Sequence, residues 1–319
     1  MNPYEVKIQI RRRNNWLLET LKTQFVYGQR EILLDFIGYP YDYLIGGLLQ
    51  HGVLDIGLNI TGPSIPRIKT PPSGLVKRFP LYVYSKATEI DFNQNTRIQA
   101  HFIGAPWLYI PEDNHSSQFG STCASNCKNT VVFPSHQTLG GKSILSVNEI
   151  RKKISYWRIA AGSDICLCLF WVEYLDSNWH EACAEEAVKI NCAGVGETFP
   201  FWGLSSFRLN FLPKLRCIID SHTTVISEDI SSVIFYSIDR GKSVGIFPDS
   251  RSFQKSDREK TPIEFDAWLE SNMPKLKNAI CSSEEYKSLT DFYLGRDSIL
   301  SKNEMLERLR LIPKILTES

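Results

Sequence analysis

Between Thr130 and Phe247 the chain alternates short apolar runs with segments of helical period, and few folds accept that order. Residues 130–133 (TVVF) read as a strand, broken by Pro134, Ser135 and His136. Residues 146–161 read as a helix: Val147, Ile150, Ile154 and Trp157 fall at spacings of three and four, and Ser146 with Glu149 forms a capping box. Residues 164–171 read as an apolar strand, 180–187 as a helix, and 188–192 as a strand closed by Ala193 and Gly194. A helix over 207–222, with Pro213 near its first turns, leads to a strand over 223–227. A helix over 230–240, ended by Gly241, leads to a strand over 243–247. Continuous apolar strands separated by helices predict a parallel sheet covered on both faces. Ligands of such sheets bind beyond the carboxyl ends of the strands, so the polar residues there are the ones to weigh.

Upstream the pattern is mixed. Residues 14–25 have helical period, and 31–37 (EILLDFI) suit a buried strand. Residues 44–49 are apolar around Gly46 and Gly47, and Gln50, His51 and Gly52 follow at once. Residues 81–84 and 101–103 are further short strands. Pro63, Pro66, Pro71 and Pro72 keep 61–74 out of any helix or central strand. Residues 111–129 are polar, rich in Ser and Asn, and read as a linker. From Pro262 onward the pattern is mostly helical, and no internal repeat is present. Two α/β domains in series are expected: an N-terminal domain over 1–128, a second over 129–265, and a helical tail over 266–319.

Composition narrows the class. With 36 basic and 35 acidic side chains in 319 residues the net charge is +1, and 43% of residues are hydrophobic against 22% charged. That mixture excludes a disordered chain, a collagen-like chain and a basic nucleic-acid coat. No run reaches the ~18–20 apolar residues needed to cross a bilayer, and the first residues lack an apolar stretch of signal-peptide length. A cytoplasmic protein is expected, with any membrane contact peripheral. Of the eight cysteines, Cys123 and Cys127 are spaced like half a zinc site. No second pair follows at a zinc-finger interval, so loop thiols in a reducing compartment are preferred and no metal is expected.

The segment from Thr223 to Phe247 carries the clearest chemistry. A strand ends at Ser227, Glu228 and Asp229 make the turn, and Ser231 and Ser232 open the next helix. Free first-turn N–H groups, the helix dipole and two hydroxyls make an anion site for a phosphate or diphosphate; the same serines also read as helix caps. Ser135 and His136, just after the first strand, head for the same end of the sheet, His136 either donating to a phosphate or serving the loop. Glu173 suits a contact to ribose or base, or solvent. Trp171 suits stacking on a base, or the core. Gly194 closes the third strand at the same level. On the first domain, His51 reads as a catalytic base or a substrate contact, or as a histidine bonded within its turn; Asp55 is the reserve base. His222 closes a helix and reads as a partner of its dipole. No GxxxxGK[ST], GxGxxG, GxSxG, HExxH or EF-hand motif occurs, nor an Asp-x-Asp pair for a metal-bound nucleotide-sugar.

These pieces, in this order, resemble bacterial GT-B glycosyltransferases that build capsule, O-antigen and related surface polysaccharides, and more distantly the sialyl- and Kdo-transferases. The strand, the paired serines, the apolar helix and Gly241-Lys242 resemble their donor-binding segment. Val131 to His136 (VVFPSH) resembles the opening of their C-terminal domain, Gln50-His51-Gly52 a turn of the N-terminal one, and Ile103 to Tyr109 (IGAPWLY) the segment closing it. The chain departs from the CMP-sugar enzymes where they show a His-Pro pair: Trp171, Val172, Glu173 and Tyr174 stand there. Gln50-His51-Gly52 also replaces the acidic pair that many of them carry before Gly. The resemblance implies an α/β fold of two Rossmann-like domains facing across a cleft. It implies metal-independent transfer of a sugar from a nucleotide-sugar, CMP- or UDP-linked, to an oligosaccharide or lipid-linked glycan, with no other cofactor and no nucleic-acid partner. A CDP-alditol phosphotransferase and a non-catalytic glycan- or nucleotide-binding subunit are the alternatives. The tail over 301–317 mixes Met305, Leu306, Leu309, Leu311, Ile312 and Ile315 with Lys302, Arg308, Arg310 and Lys314. It suits packing on the first domain, or anionic lipid at the inner face of the plasma membrane.

Overall fold

The structure, a computed structural model, describes residues 28–41, 43–50, 52–53, 80–95, 99–112, 129–135, 145–193, 211–248 and 268–313. The elements begin with α1 (Gln29–Ile37), β1 (Tyr43–Ile45), β2 (Leu48–Leu49), β3 (Leu81–Val83), α2 (Lys86–Asn95) and β4 (Ala100–Phe102). They continue with β5 (Thr130–Phe133), α3 (Val147–Ala161), β6 (Ile165–Leu169), α4 (Trp171–Leu175), α5 (Ser177–Glu185) and β7 (Lys189–Cys192). Next come α6 (Phe211–Asp220), β8 (Thr224–Ser227), α7 (Ser232–Asp239) and β9 (Ser243–Ile246). The last are β10 (Ile280–Cys281), α8 (Lys287–Leu294), α9 (Lys302–Arg308) and β11 (Leu311–Pro313). The chain forms two compact units. One holds Met1–Ile110, Phe201–Leu209 and Phe292–Ser319; the other holds Pro111–Pro200 and Asn210–Asp291.

In the first unit β2, β3 and β4 form a parallel sheet in that order. The apolar run expected as a strand over 31–37 is instead the helix α1. Gly28 and Gly38 bound it in the left-handed region, at φ 66° and 77°, and the Gly38 N–H donates to Asp35 O at 3.1 Å. A run this short fits a buried strand and a buried helix equally by period, and the two glycines decide for the helix. The helix expected over 14–25 and the loop over 61–74 lie outside the described residues. The C-terminal residues return to this unit: β11 pairs antiparallel with β1, Tyr43 opposite Pro313. Ser301 and Glu304 form a capping box on α9, whose Met305 is fully buried. Among the described residues, the stretch expected as mostly helical also includes β10, β11 and three 3-10 turns. Of its two short strands, β10 closes an edge of the six-stranded sheet and β11 makes a two-stranded sheet with β1, and strands of two or three residues have no period to read.

The second unit is built on a six-stranded sheet in the order β10-β9-β8-β5-β6-β7. Strands β5 to β9 are parallel, and β10 closes one edge antiparallel to β9. Every residue of β5 and β6 is buried, as burial of a parallel sheet on both faces requires. Val132, Leu167, Leu169 and Ile226 meet Ile150, Ile154 and Trp157 of α3 and Trp179, Ala182 and Cys183 of α5 in one core cluster. Helix α3 starts on the expected capping box: the Glu149 N–H donates to Ser146 Oγ, and the Ser146 N–H to Glu149 Oε2 at 2.9 Å. Strand β6 stops at Leu169, two residues short of expectation, because the chain turns through Phe170 into α4. Helix α7 packs against β8 and β9 and buries Ile234, Phe235 and Ile238. No helix among the described residues is long and apolar enough to cross a membrane.

Candidate functional site

Strand order marks a candidate site in the second unit. From β5 the chain lays β6 and then β7 on one side, then returns to lay β8 and β9 on the other. The order reverses between β5 and β8, and in open parallel sheets that switch point, at the carboxyl ends of the strands, opens the crevice where ligands bind. Phe133 and Ser227 are register partners at those ends. The residues that follow them, Pro134 and Ser135 on one side and Glu228 and Asp229 on the other, are therefore side by side. The Glu228 N–H donates to Phe133 O at 3.1 Å, extending the ladder by one bond.

A buried polar knot holds this corner. Glu228 is completely buried and Lys153 of α3 is 7% exposed. Glu228 Oε1 accepts from Lys153 Nζ, and Oε2 accepts from the Ser135 N–H at 3.0 Å. The Lys153 ammonium also lies 5.7 Å from the centroid of the fully buried Trp157 ring. Burial pushes the Glu228 carboxyl above the usual carboxylate range; the Lys153 ammonium and the Ser135 N–H pull it back, and Asp229 pushes it up again. Ser135 also donates its hydroxyl proton to Asp229 Oδ2. Both donors of Ser135 are thus engaged, and what its hydroxyl offers a ligand is an acceptor oxygen. Asp229 is exposed, so the mouth of this corner is acidic and suits hydroxyl or amine donors.

One step further along, Ser231 stands before α7 in extended conformation, φ −146° and ψ 170°, and its side chain makes no capping hydrogen bond. That separates it from Ser146 and Ser301, whose hydroxyls do cap their helices. The first turn of α7, which Ser232 opens, carries the positive end of the helix dipole, and the Ile234 N–H there donates to Ser231 O at 3.1 Å. Of the residues selected by sequence, Ser135, Ser227, Asp229, Ser231 and Ser232 fall together along β5, β8 and the start of α7. Ser227 is buried, and its carbonyl accepts from the Phe247 N–H at 2.9 Å, so it serves the ladder there. Glu173 does not lie in a solvated loop: it sits in the first turn of α4 and is 5% exposed. Trp171 opens α4 and does not end β6. His51, Asp55, His136 and Gly194 lie outside the described residues, as do Cys123 and Cys127.

Gln50, the residue before His51 in the sequence, is held by hydrogen bonds. Gln50 is 2% exposed. Its Nε2 donates to Gly52 O at 2.8 Å and Val53 O at 3.3 Å, and its Oε1 accepts from the Tyr84 N–H at 2.9 Å. The Tyr84 hydroxyl donates to Gln50 O at 3.1 Å and accepts from Gln29 Nε2 at 3.1 Å. Sequence reading passed over the role of Gln50, although a buried amide bonded to its own turn matches a Gln that precedes His-Gly. It also missed the buried pair Arg30–Glu31, 2.6 Å apart, because their segment read as a strand. At the amino end of the second sheet His222 donates from Nδ1 to Ile218 O at 2.6 Å and meets Cys166 Sγ through Nε2 at 3.0 Å. Burial lowers its pKa, so it is a neutral buried group far from the strands' carboxyl ends. No group of three or more His, Cys, Asp or Glu able to hold a metal occurs among the described residues.

No protein-family model and no curated protein matches the chain. Solved structures do. Os79 from O. sativa in complex with UDP matches at a TM-score of 0.38 and 11% identity, covering 74% of this chain and 51% of that one. MnaA from S. aureus with UDP matches at 0.37 and 9%, covering 81% and 63%. The wall teichoic acid polymerase TagF soaked with CDPG matches at 0.35 and 13%, covering 79% and 63%. The chain thus spans between half and just under two thirds of the length of these structures.

Proposed function

We propose that the chain is a glycosyltransferase of surface-polysaccharide synthesis, moving a sugar from a nucleotide-sugar to a bacterial glycan acceptor without a metal. One observation carries the reading. The switch point of a 3-2-1-4-5 type sheet has at its rim a helix start whose N-terminal serine makes no capping hydrogen bond, beside an acidic, hydroxyl-accepting corner. The helix start suits the donor phosphate, and Asp229 with the Ser135 oxygen suits hydroxyls of the ribose or sugar. His136, Trp171, Glu173 and Gly194 are the further donor contacts proposed. In the reaction an acceptor hydroxyl oxygen bonds to the anomeric carbon as the bond from that carbon to the phosphate oxygen breaks. The electron pair leaves on the nucleotide phosphate, where the N–H groups of α7 stabilise it. The hydroxyl proton goes to His51, with Asp55 in reserve. The acceptor is an oligosaccharide or a lipid-linked glycan at the cytoplasmic face of the plasma membrane.

A thermal-shift screen with CMP, CDP, UDP, GDP and their sugars tests the donor half of this reading. A nucleotide present at one hundred times its Kd raises stability by about 2.7 kcal/mol. A rise with one base and little with the others is the expected result, and no rise with any nucleotide removes the proposal. Transfer of a sugar, as against transfer of an alditol phosphate, is then read from the product. Binding without turnover identifies a non-catalytic subunit.

A further inference from the structure

We propose that Glu228 and Lys153, which no sequence motif singled out, are positioning residues of the donor site: Glu228 fixes the backbone N–H of Ser135, and Lys153 allows Glu228 to stay buried while it does so. The inference rests on the donor-site reading above. Glu228 belongs to the end of β8, Ser135 to the end of β5, and Lys153 to the second turn of α3. The carboxylate thus ties both lips of the switch point to the helix that covers the sheet: its Oε2 accepts from the Ser135 N–H at 3.0 Å and its Oε1 pairs with Lys153. Strands β5 and β8 are already joined by their ladder. The ladder ends at the Glu228 N–H, however, and beyond it the two strand ends are joined by side chains: the Glu228 carboxylate accepts from the Ser135 backbone N–H, and Asp229 accepts from the Ser135 hydroxyl. The first of these links sets the rotation of Ser135, and so which way its hydroxyl meets Asp229 and a ligand. A buried carboxylate is an expensive way to hold one N–H, because two charges must leave water together. A neutral pair would hold the fold as well, so the charge-assisted bond points to a requirement for aim.

The test separates aim from stability. Two double variants, Lys153→Met/Glu228→Gln and Lys153→Met/Glu228→Met, both remove the buried charges. Only the first retains a side-chain oxygen able to accept from the Ser135 N–H. Urea midpoints report folding, and calorimetric titration with the nucleotide that stabilises the wild type in the screen reports the site. The first variant is expected to bind roughly tenfold more tightly than the second, equivalent to about 1.4 kcal/mol, at similar stability. Equal affinity in the two, at any level, overturns the inference while leaving the donor site standing. A wild type that binds no nucleotide removes both. The wild type also supplies a check that needs no substitution: bound nucleotide must slow amide exchange at Ser135 and at the start of α7 together. Slowing at the start of α7 alone overturns the inference.

Discussion

Lys153→Met is expected to destabilise the second unit by about 3–5 kcal/mol, the cost of leaving a buried charge without its partner. The substitution removes little packing, since the lysine stem and methionine are similar in length. It leaves Glu228, which is completely buried, facing only the Ser135 N–H and the repulsion of Asp229. The pH dependence has a definite sign. Burial already places the folded-state pKa of Glu228 above its ordinary value of 4.5, and loss of the ammonium raises it further. A raised carboxyl pKa favours folding where the group is protonated, and that advantage is lost as pH rises through the folded value. The deficit of Lys153→Met relative to the wild type must therefore grow from about pH 4.5 toward neutrality and shrink again on acidification. Urea unfolding followed by tryptophan fluorescence at pH 5 and pH 8 measures it, Trp157 lying against Lys153. A deficit below about 1 kcal/mol, or one unchanged between the two pH values, contradicts the ion-pair assignment.

The second large effect concerns His51. On the proposed role of His51 as general base, its replacement by alanine is expected to lower turnover by about 10²–10⁴-fold while the donor Kd changes little, because the proposed donor contacts lie in the other unit. The histidine follows directly in the sequence on Gln50, whose side chain makes three hydrogen bonds. Gln50→Ala is the useful companion: it keeps the imidazole and removes its support, so turnover falls with His51 present. Steady-state rates and donor titration on both variants give the comparison. A His51→Ala protein that retains more than about a tenth of wild-type turnover shifts the base to another residue, with Asp55 the first to replace.

Much of the second unit was legible because its strands are buried on both faces. A residue such as Val131 or Leu167 has no solvent side, so each strand reads as an unbroken apolar run, and the helices between show their own period. The capping box at Ser146 was equally local: donor and acceptor lie three residues apart. Residues 31–37 failed for the complementary reason, an apolar run without a period being ambiguous until Gly28 and Gly38 are seen to be left-handed. β10 and β11 were invisible because their partners, β9 and β1, are distant in sequence. The candidate site divides along the same line. Ser231, Ser232 and Asp229 were found because a strand-turn-helix places them by sequence alone. The same reading placed Glu228 in that turn, but its pairing with Lys153, 75 residues away, was not visible. On the helical wheel Lys153 flanks the stripe of Ile150, Ile154 and Trp157, where a lysine ordinarily snorkels to water, and only the fold shows that a carboxylate waits there.

A crystal structure of the chain with the nucleoside diphosphate that stabilises it most tests the donor site directly. A phosphate oxygen about 2.7–3.2 Å from the first N–H groups of α7, with Ser231 turned toward it and the ribose beside Asp229, is the result expected. A nucleotide seated away from the β5–β8 switch point, or a start of α7 closed by neighbouring side chains, contradicts the account.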